Sequence, residues 1–431
     1  MIYIVYNTLL YSLSIIASPY FLCKLVFTKK HRMGLSQRFG KLSQSLIDIA
    51  QSRKSVWIHA VSVGEVAAAI PFIDEFRKTF PDYRILLSTV TATGNQFAKK
   101  IKNIDGLFFF PFDYSFAVKK ALEHINPNIF ITFETEIWPN FLKYAQDMKI
   151  PCMLVNGRIS PNSFKRYKKT KFFFKHILRN FSAFCMQTEQ DKVRIMELGA
   201  EKKKISITGN TKFDALVSKE ENADVKNKFI KIFGIKENDK VIIAGSTHRG
   251  EEEKVFDAFE YACQKISNVL LILAPRHPER FIEVTKLLKD RNLNYILRSA
   301  LDETKREEQQ VIILDTIGEL SKVYAIADVV FIGGSLVPTG GHNVIEPASL
   351  GKPVVFGPYM YNFTESAKLL LECKGAIQIP DGDRLAACLL KLLTNSEYAK
   401  QMGDTAKKIV YEKKGASKRN LEIISGFLNN L

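Results

Sequence analysis

A chain of 431 residues, 46% hydrophobic and 25% charged, has the make-up of a folded protein too long for one comfortable core, so two domains are expected. Its formal net charge of +17 calls for anionic partners: nucleic acid, an acidic lipid surface or phosphorylated substrates. Six cysteines (Cys23, Cys152, Cys185, Cys263, Cys373, Cys388) stand singly, without a C-x-x-C pair or a Cys/His cluster, which argues against a disulfide framework and a zinc site.

The first 23 residues carry no charge, and IYIVYNTLLYSLSIIASPYFL is long enough to span or deeply enter a bilayer. Lys29, Lys30, Arg32, Arg38 and Lys41 follow, which places the body of the chain on the cytoplasmic side. A cleaved signal peptide carries its basic residues before the apolar run, whereas here they come after it. Residues 1–27 therefore read as an uncleaved anchor, single-pass or interfacial.

From Ser55 onward short β-branched runs alternate with helical stretches, the pattern of parallel sheets covered on both faces. Expected strands in the first half are Val56–Val61, Arg84–Val90, Leu107–Phe110, Ile129–Glu134, Cys152–Val155 and Ala183–Met186. The second half starts afresh with Val241–Ala244, Val269–Ala274, Tyr295–Arg298, Val311–Asp315, Val329–Ile332 and Pro353–Phe356. The expected layout is an α/β chain with two Rossmann-like domains, 28–217 and 240–431, joined by a polar linker at 218–239 and facing each other across a cleft. The C-terminal helix is assigned to the second domain. Ligands of doubly wound sheets sit beyond the C-terminal ends of the strands.

Those ends carry the polar residues. After HAVSVGE, Glu65 lies at the start of a helix, where the helix dipole favours its charge and lowers its pKa; it is either a general base or a capping residue. In ITFETEIWPN, Glu134 and Glu136 share one face if the segment is extended, and two close acids raise one pKa. Between Arg158 and Arg179 come Lys165, Arg166, Lys168, Lys169, Lys171 and Lys175, interleaved with Phe164, Tyr167, Phe172, Phe173 and Phe174. Such a segment suits single-stranded nucleic acid or a lipid headgroup surface, and the preceding anchor favours the lipid.

In the second half LAPRHPER delivers Arg276 and His277 to a strand end, and an arginine fork there suits a phosphate. In FIGGSLVPTGGHNVIEPASLG, Gly340 and Gly341 precede a helix and let backbone amides approach an anion, while Glu346 is placed to grip ribose hydroxyls. A G-x-G-x-x-G fingerprint and a Walker A lysine are both missing, which argues against a dehydrogenase or an ATPase.

Taken together, VSVGE, FETEIWPN, NGRIS, GNTKFD, AGSTHRGEE, APRHPER and GGSLVPTGGHNVIEPA resemble the Kdo (3-deoxy-D-manno-octulosonic acid) transferases of lipopolysaccharide synthesis, from the anchor to the C-terminal helix. The resemblance implies the GT-B fold, a CMP-Kdo donor and lipid IVA, the lipid A precursor, as acceptor. It also implies location at the bacterial inner membrane and no bound metal or cofactor. By motif, Glu65 would be the catalytic base and Glu134 a second essential acid. Arg276, Asn343 and Glu346 would belong to the CMP site, with His277, Gly340, Gly341 and Lys212 beside them. Arg158, Lys165, Arg166, Lys168 and Lys169 would face acceptor and membrane, and either Lys212 or Arg158 would meet the Kdo carboxylate. Competing readings are another GT-B glycosyltransferase, a sugar-nucleotide epimerase, and a membrane-tethered basic nucleic-acid-binding protein, though no nucleic-acid partner is expected.

Overall fold

The computed structural model describes residues 2–27, 32–214, 219–302 and 305–429; Lys29 and Lys30 of the basic flank lie outside them. The chain forms two compact units, Met1–Ala215 with Lys413–Leu431, and Leu216–Glu412.

The first unit is built on β1 (Ser55–His59), β2 (Arg84–Thr89), β3 (Gly106–Phe109), β4 (Ile129–Phe133), β5 (Cys152–Gly157), β6 (Ala183–Met186) and β7 (Ile205–Ile207). All pair in parallel, in the order β3-β2-β1-β4-β5-β6-β7. β1 and β4 are buried along their whole length, the reason such strands read as unbroken apolar runs. Alternate residues feed opposite faces. Val56, Ile58, Ile129 and Ile131 join one core cluster, and Trp57 and Phe130 the other.

In the second unit β8 (Lys240–Thr247), β9 (Val269–Pro275), β10 (Tyr295–Leu297), β11 (Val311–Ile313), β12 (Val329–Ile332), β13 (Val354–Phe356) and β14 (Ala376–Gln378) form another parallel sheet, in the order β10-β11-β9-β8-β12-β13-β14. Two doubly wound units in tandem are the GT-B arrangement.

Three features depart from the sequence reading. β7 and β14, unexpected, are edge strands of three residues, too short and too exposed to leave an apolar signature. The stretch expected as a linker contains the helix Lys219–Ile232, with Phe229 buried; the Phe229 ring lies 5.6 Å from Phe233. The C-terminal helix Ala416–Leu428, expected in the second domain, belongs to the first unit, where Leu421, Ile424 and Leu428 pack with Phe72 and Phe76. Asp214 fastens its start, accepting 2.6 Å bonds from the Gly415 and Ser417 amides.

The strand orders also say where ligands go. In the first sheet the direction of winding reverses between β1 and β4, and in the second between β8 and β12. Loops leaving neighbouring strands on opposite sides open a crevice at such a point.

Candidate active site

At the first reversal the loop after β1 leads into the helix Val63–Thr79, with Glu65 in its first turn. Its carboxylate accepts from the Val61 amide at 2.7 Å and from the Ser62 hydroxyl at 3.3 Å. These bonds tie the loop after β1 to the helix start, yet the expected fall in pKa does not follow. Burial, joined by the charges of Glu136 and Glu134, outweighs these bonds and pushes the carboxyl up to about 8. Withdrawing the charged form from water costs more than one helix terminus returns.

β4 ends at Phe133, so the shared-face argument for Glu134 and Glu136 does not apply. Glu134 has φ +61°, a left-handed backbone that costs a non-glycine residue about 1 kcal/mol or more and turns the chain sharply. The two acids still sit together. Burial and the Glu134 charge, opposed by other contacts, raise Glu136 to about 7.

Lys212 lies against Glu134, its Nζ 3.3 Å from Oε1. As a residue of the expected domain 28–217, this lysine stands in the first unit, among the acids. Its position is fixed by the turn Thr211–Phe213, where Asn210 Oδ1 accepts from the Lys212 amide, Asn156 Oδ1 from the Thr211 amide, and Ala68 O from the Thr211 hydroxyl. NGRIS and GNTKFD are therefore one device for holding a lysine. Arg158 adjoins the loop that carries Glu134 and Glu136, its carbonyl accepting from the Thr135 hydroxyl. Lys165, Arg166, Lys168 and Lys169 are exposed on the helix Pro161–Lys169, away from hydrogen bonds to the acids, and Lys168 pairs with Glu197 at 2.9 Å.

At the second reversal the loops after β8 and β12 are joined by a residue that sequence reading passed over. The fully buried Glu251 accepts from four backbone amides: His248 at 2.9 Å, Gly334 at 2.6 Å, Ser335 at 3.0 Å and Leu336 at 2.9 Å. In AGSTHRGEEE it looks like one more acid at a helix start, and only the returning loop reveals its task. The loop continues through Gly340 (φ +101°) and Gly341 (φ +72°), where a side chain on Gly341 would meet the Met360 sulfur. Helix Ile345–Ser349 starts after them, with Glu346 in its first turn bonded at 3.0 Å to the Asn343 amide group. Burial keeps the Glu346 carboxyl above the ordinary range, with that bond acting against it.

Arg276 follows β9 directly, tied by its amide to Thr247 O at 3.0 Å, and its side chain is exposed. Beside it three imidazoles gather: His248 and His342 stand with their Nε2 atoms 2.9 Å apart, and the His277 ring lies 5.5 Å from that of His248. Burial first, then the charges of Arg276, His248 and His277, lower His342 to about 4, and burial followed by the charges of His277, Arg276 and Arg280 lowers His248 as well. A neutral His342 offers a ring N–H donor beside the Arg276 guanidinium, a pairing that suits an anion. Among the described residues no group of three or more His, Cys, Asp or Glu is arranged to hold a metal ion.

A sequence profile described as 3-deoxy-D-manno-octulosonic-acid transferase (kdotransferase) matches residues 33–215. The 3-deoxy-D-manno-octulosonic acid transferase of Haemophilus influenzae is 33% identical over 425 residues, 97% of each chain. That of Chlamydophila psittaci is 28% identical over 427 residues, 98% of this chain and 96% of the relative. Among solved structures, the UDP-GlcNAc 2-epimerase of Neisseria meningitidis matches with a TM-score of 0.60 over 88% of this chain and all of its own, at 16% identity, and shares the fold alone. Full-length identity together with these two assembled loop systems leads to one conclusion: the chain belongs to the 3-deoxy-D-manno-octulosonic acid transferase family, glycosyltransferases of lipopolysaccharide synthesis.

Proposed function

We propose that the protein transfers Kdo from CMP-Kdo to a hydroxyl of lipid IVA at the inner membrane, with inversion and with Glu65 as general base. The observation that carries this reading is the buried carboxyl of Glu65 at the first winding reversal, held near neutrality and flanked by Glu134 and Lys212. A base works best when its pKa lies near the working pH. The acceptor oxygen bonds to the anomeric carbon of Kdo as that carbon's bond to the CMP phosphate oxygen breaks. The hydroxyl proton passes to the Glu65 carboxylate, and CMP departs carrying the bond's electron pair. Positive charge grows on the sugar in such a transition state, and Glu134 is the acid suited to offset it.

Arg276 and the amides of the Gly340–Asn343 loop receive the phosphate, and Glu346 the ribose. Lys212, paired with Glu134, is placed for the carboxylate of Kdo rather than for the nucleotide. Arg158, Lys165, Arg166, Lys168 and Lys169 serve the phosphorylated acceptor.

The test is incubation with CMP-Kdo generated in situ and lipid IVA, with products counted by mass spectrometry. Glu65→Ala should abolish transfer, a loss of at least about 10²-fold, while CMP binding by calorimetry persists. A variant that transfers Kdo normally, or one that no longer binds CMP, would sink the assignment of Glu65 as base.

A further inference from the structure

The N-terminal helix Ile2–Phe27 does not stand clear of the first unit. One side of its first half is bonded to it. The Tyr6 hydroxyl donates to Asp113 Oδ2 at 2.9 Å, and Asp113 also accepts from the amides of Asn140 and Phe141, the first turn of the helix Pro139–Asp147. Asn140 donates to Asn7 Oδ1 at 2.7 Å, Asn180 to the Tyr3 hydroxyl at 2.7 Å, and Tyr114 to the Ser14 hydroxyl at 2.6 Å. Tyr3, Tyr6, Asn7 and Ser14 recur at helical spacing, so they form one polar seam along the helix. The opposite side is bare and mostly apolar, with Ile4, Leu13, Ile15 and Ile16 each more than 60% exposed and only the small Thr8 and Ser12 among them.

This bare side continues sideways onto the body. On one flank Tyr11 stacks on Tyr114, which stacks on Phe116, 54% exposed. On the other Tyr6 packs on Phe173, beside Phe172, 75% exposed, on a short helix that also carries exposed Lys171 and Lys175.

We infer that this face rests on an anionic lipid leaflet with the helix lying in the plane of the interface, not crossing the bilayer. Length decides between the two. With the seam engaged through Ser14, only Ile15–Phe27 is free, about 20 Å of helix, where the hydrocarbon core is about 30 Å thick. Crossing would require pulling the seam off Asp113, Asn140 and Asn180 and burying its hydroxyls and amide in hydrocarbon, while leaving a buried carboxyl without its Tyr6 partner. An in-plane helix keeps every one of those bonds and still covers its apolar side. Aromatic residues at both flanks and lysines beside one of them suit headgroup depth and negative lipid charge. The inference does not depend on the sugar being transferred, since it needs neither donor nor acceptor.

Two experiments on the full chain test it. In bacterial spheroplasts, with Cys23→Ser as background, Ile2→Cys and Lys418→Cys are probed separately with a membrane-impermeant maleimide. The in-plane helix predicts that both react only after lysis; Ile2→Cys reacting in intact spheroplasts, or reacting on neither side, overturns it. In flotation with phosphatidylglycerol–phosphatidylcholine vesicles, Leu13→Ser/Ile16→Ser/Phe172→Ser, which removes apolar area without changing charge, should bind at least about tenfold more weakly than the parent chain. Unchanged binding, or a parent chain that ignores vesicles and self-associates through this face, overturns the lipid assignment.

Discussion

Glu65 sets the pH behaviour at the scale of a single residue. In the unfolded chain its carboxyl titrates at the ordinary 4.5, and in the folded protein at about 8. Between those values only the unfolded chain gives up the proton. Its contribution to stability is therefore complete below pH 4.5, declines as pH rises, and is lost above about 8. Glu136 acts in the same direction over the window from 4.5 to about 7. Thermal unfolding of Glu65→Gln should accordingly fall less steeply with pH across this window than that of the parent chain; parallel curves would contradict the shift. Catalysis runs the opposite way, because the base must be ionised: kcat/KM should rise with pH toward a plateau above about 8, and a flat profile would speak against Glu65. The two trends together mean that the protein gives up stability to keep this carboxyl where it is.

Glu251 is the corresponding residue of the second unit, although it works through backbone rather than ligand. Its two oxygens each take two amides, so Glu251→Gln would turn an amide N–H₂ toward two N–H donors. Leaving buried donors unpaired costs about 1–3 kcal/mol each. We expect Glu251→Gln to lower the unfolding midpoint and to weaken CMP binding about tenfold or more, with Glu65 chemistry unaffected in single turnover at saturating donor. Calorimetric CMP binding equal to that of the parent chain would show that the loop does not need this strut.

At the scale of elements, the strands were the most legible part of the sequence. Twelve stretches chosen for apolar, β-branched character coincide with strands because both faces of these sheets are covered and the runs are uninterrupted. Lys219–Ile232 escaped notice because KEENADVKNKFIKI offers little beyond Phe229 to a core, so its pattern resembles a linker. Ala416–Leu428 has a clear apolar stripe, but a stripe says that a partner exists and not which one; proximity in sequence pointed to the wrong unit. Motif spacing brought out Glu65, Glu134 and Arg276, whereas the left-handed turn at Glu134 and the four-amide grip of Glu251 arise from chain segments meeting in three dimensions. Truncating the stripe should be costly: Ile424→Ala, fully buried, is expected to destabilise the first unit by about 2–4 kcal/mol in denaturant unfolding while CMP binding remains.

For the molecule as a whole, separate core clusters predict separate thermal behaviour. The apolar clusters of the first unit share no residue with that of the second. CMP at about 100 times its Kd should stabilise the unit that holds Arg276 by about 2.7 kcal/mol, and Arg276→Ala should remove most of this gain. A calorimetric trace in which CMP moves every transition equally would instead mean that the units melt as one.

Because Lys413–Leu431 completes the first unit, the second unit is in effect an insertion within it. A ribosome making this chain finishes the second unit before it supplies the helix Ala416–Leu428 of the first. Until Leu421, Ile424 and Leu428 emerge, Phe72 and Phe76 keep an open apolar flank for which a chaperone or a protease can compete. Removing Ala416–Leu428 should therefore open the core around Phe72 and Phe76 while leaving the separate apolar cluster of the second unit intact.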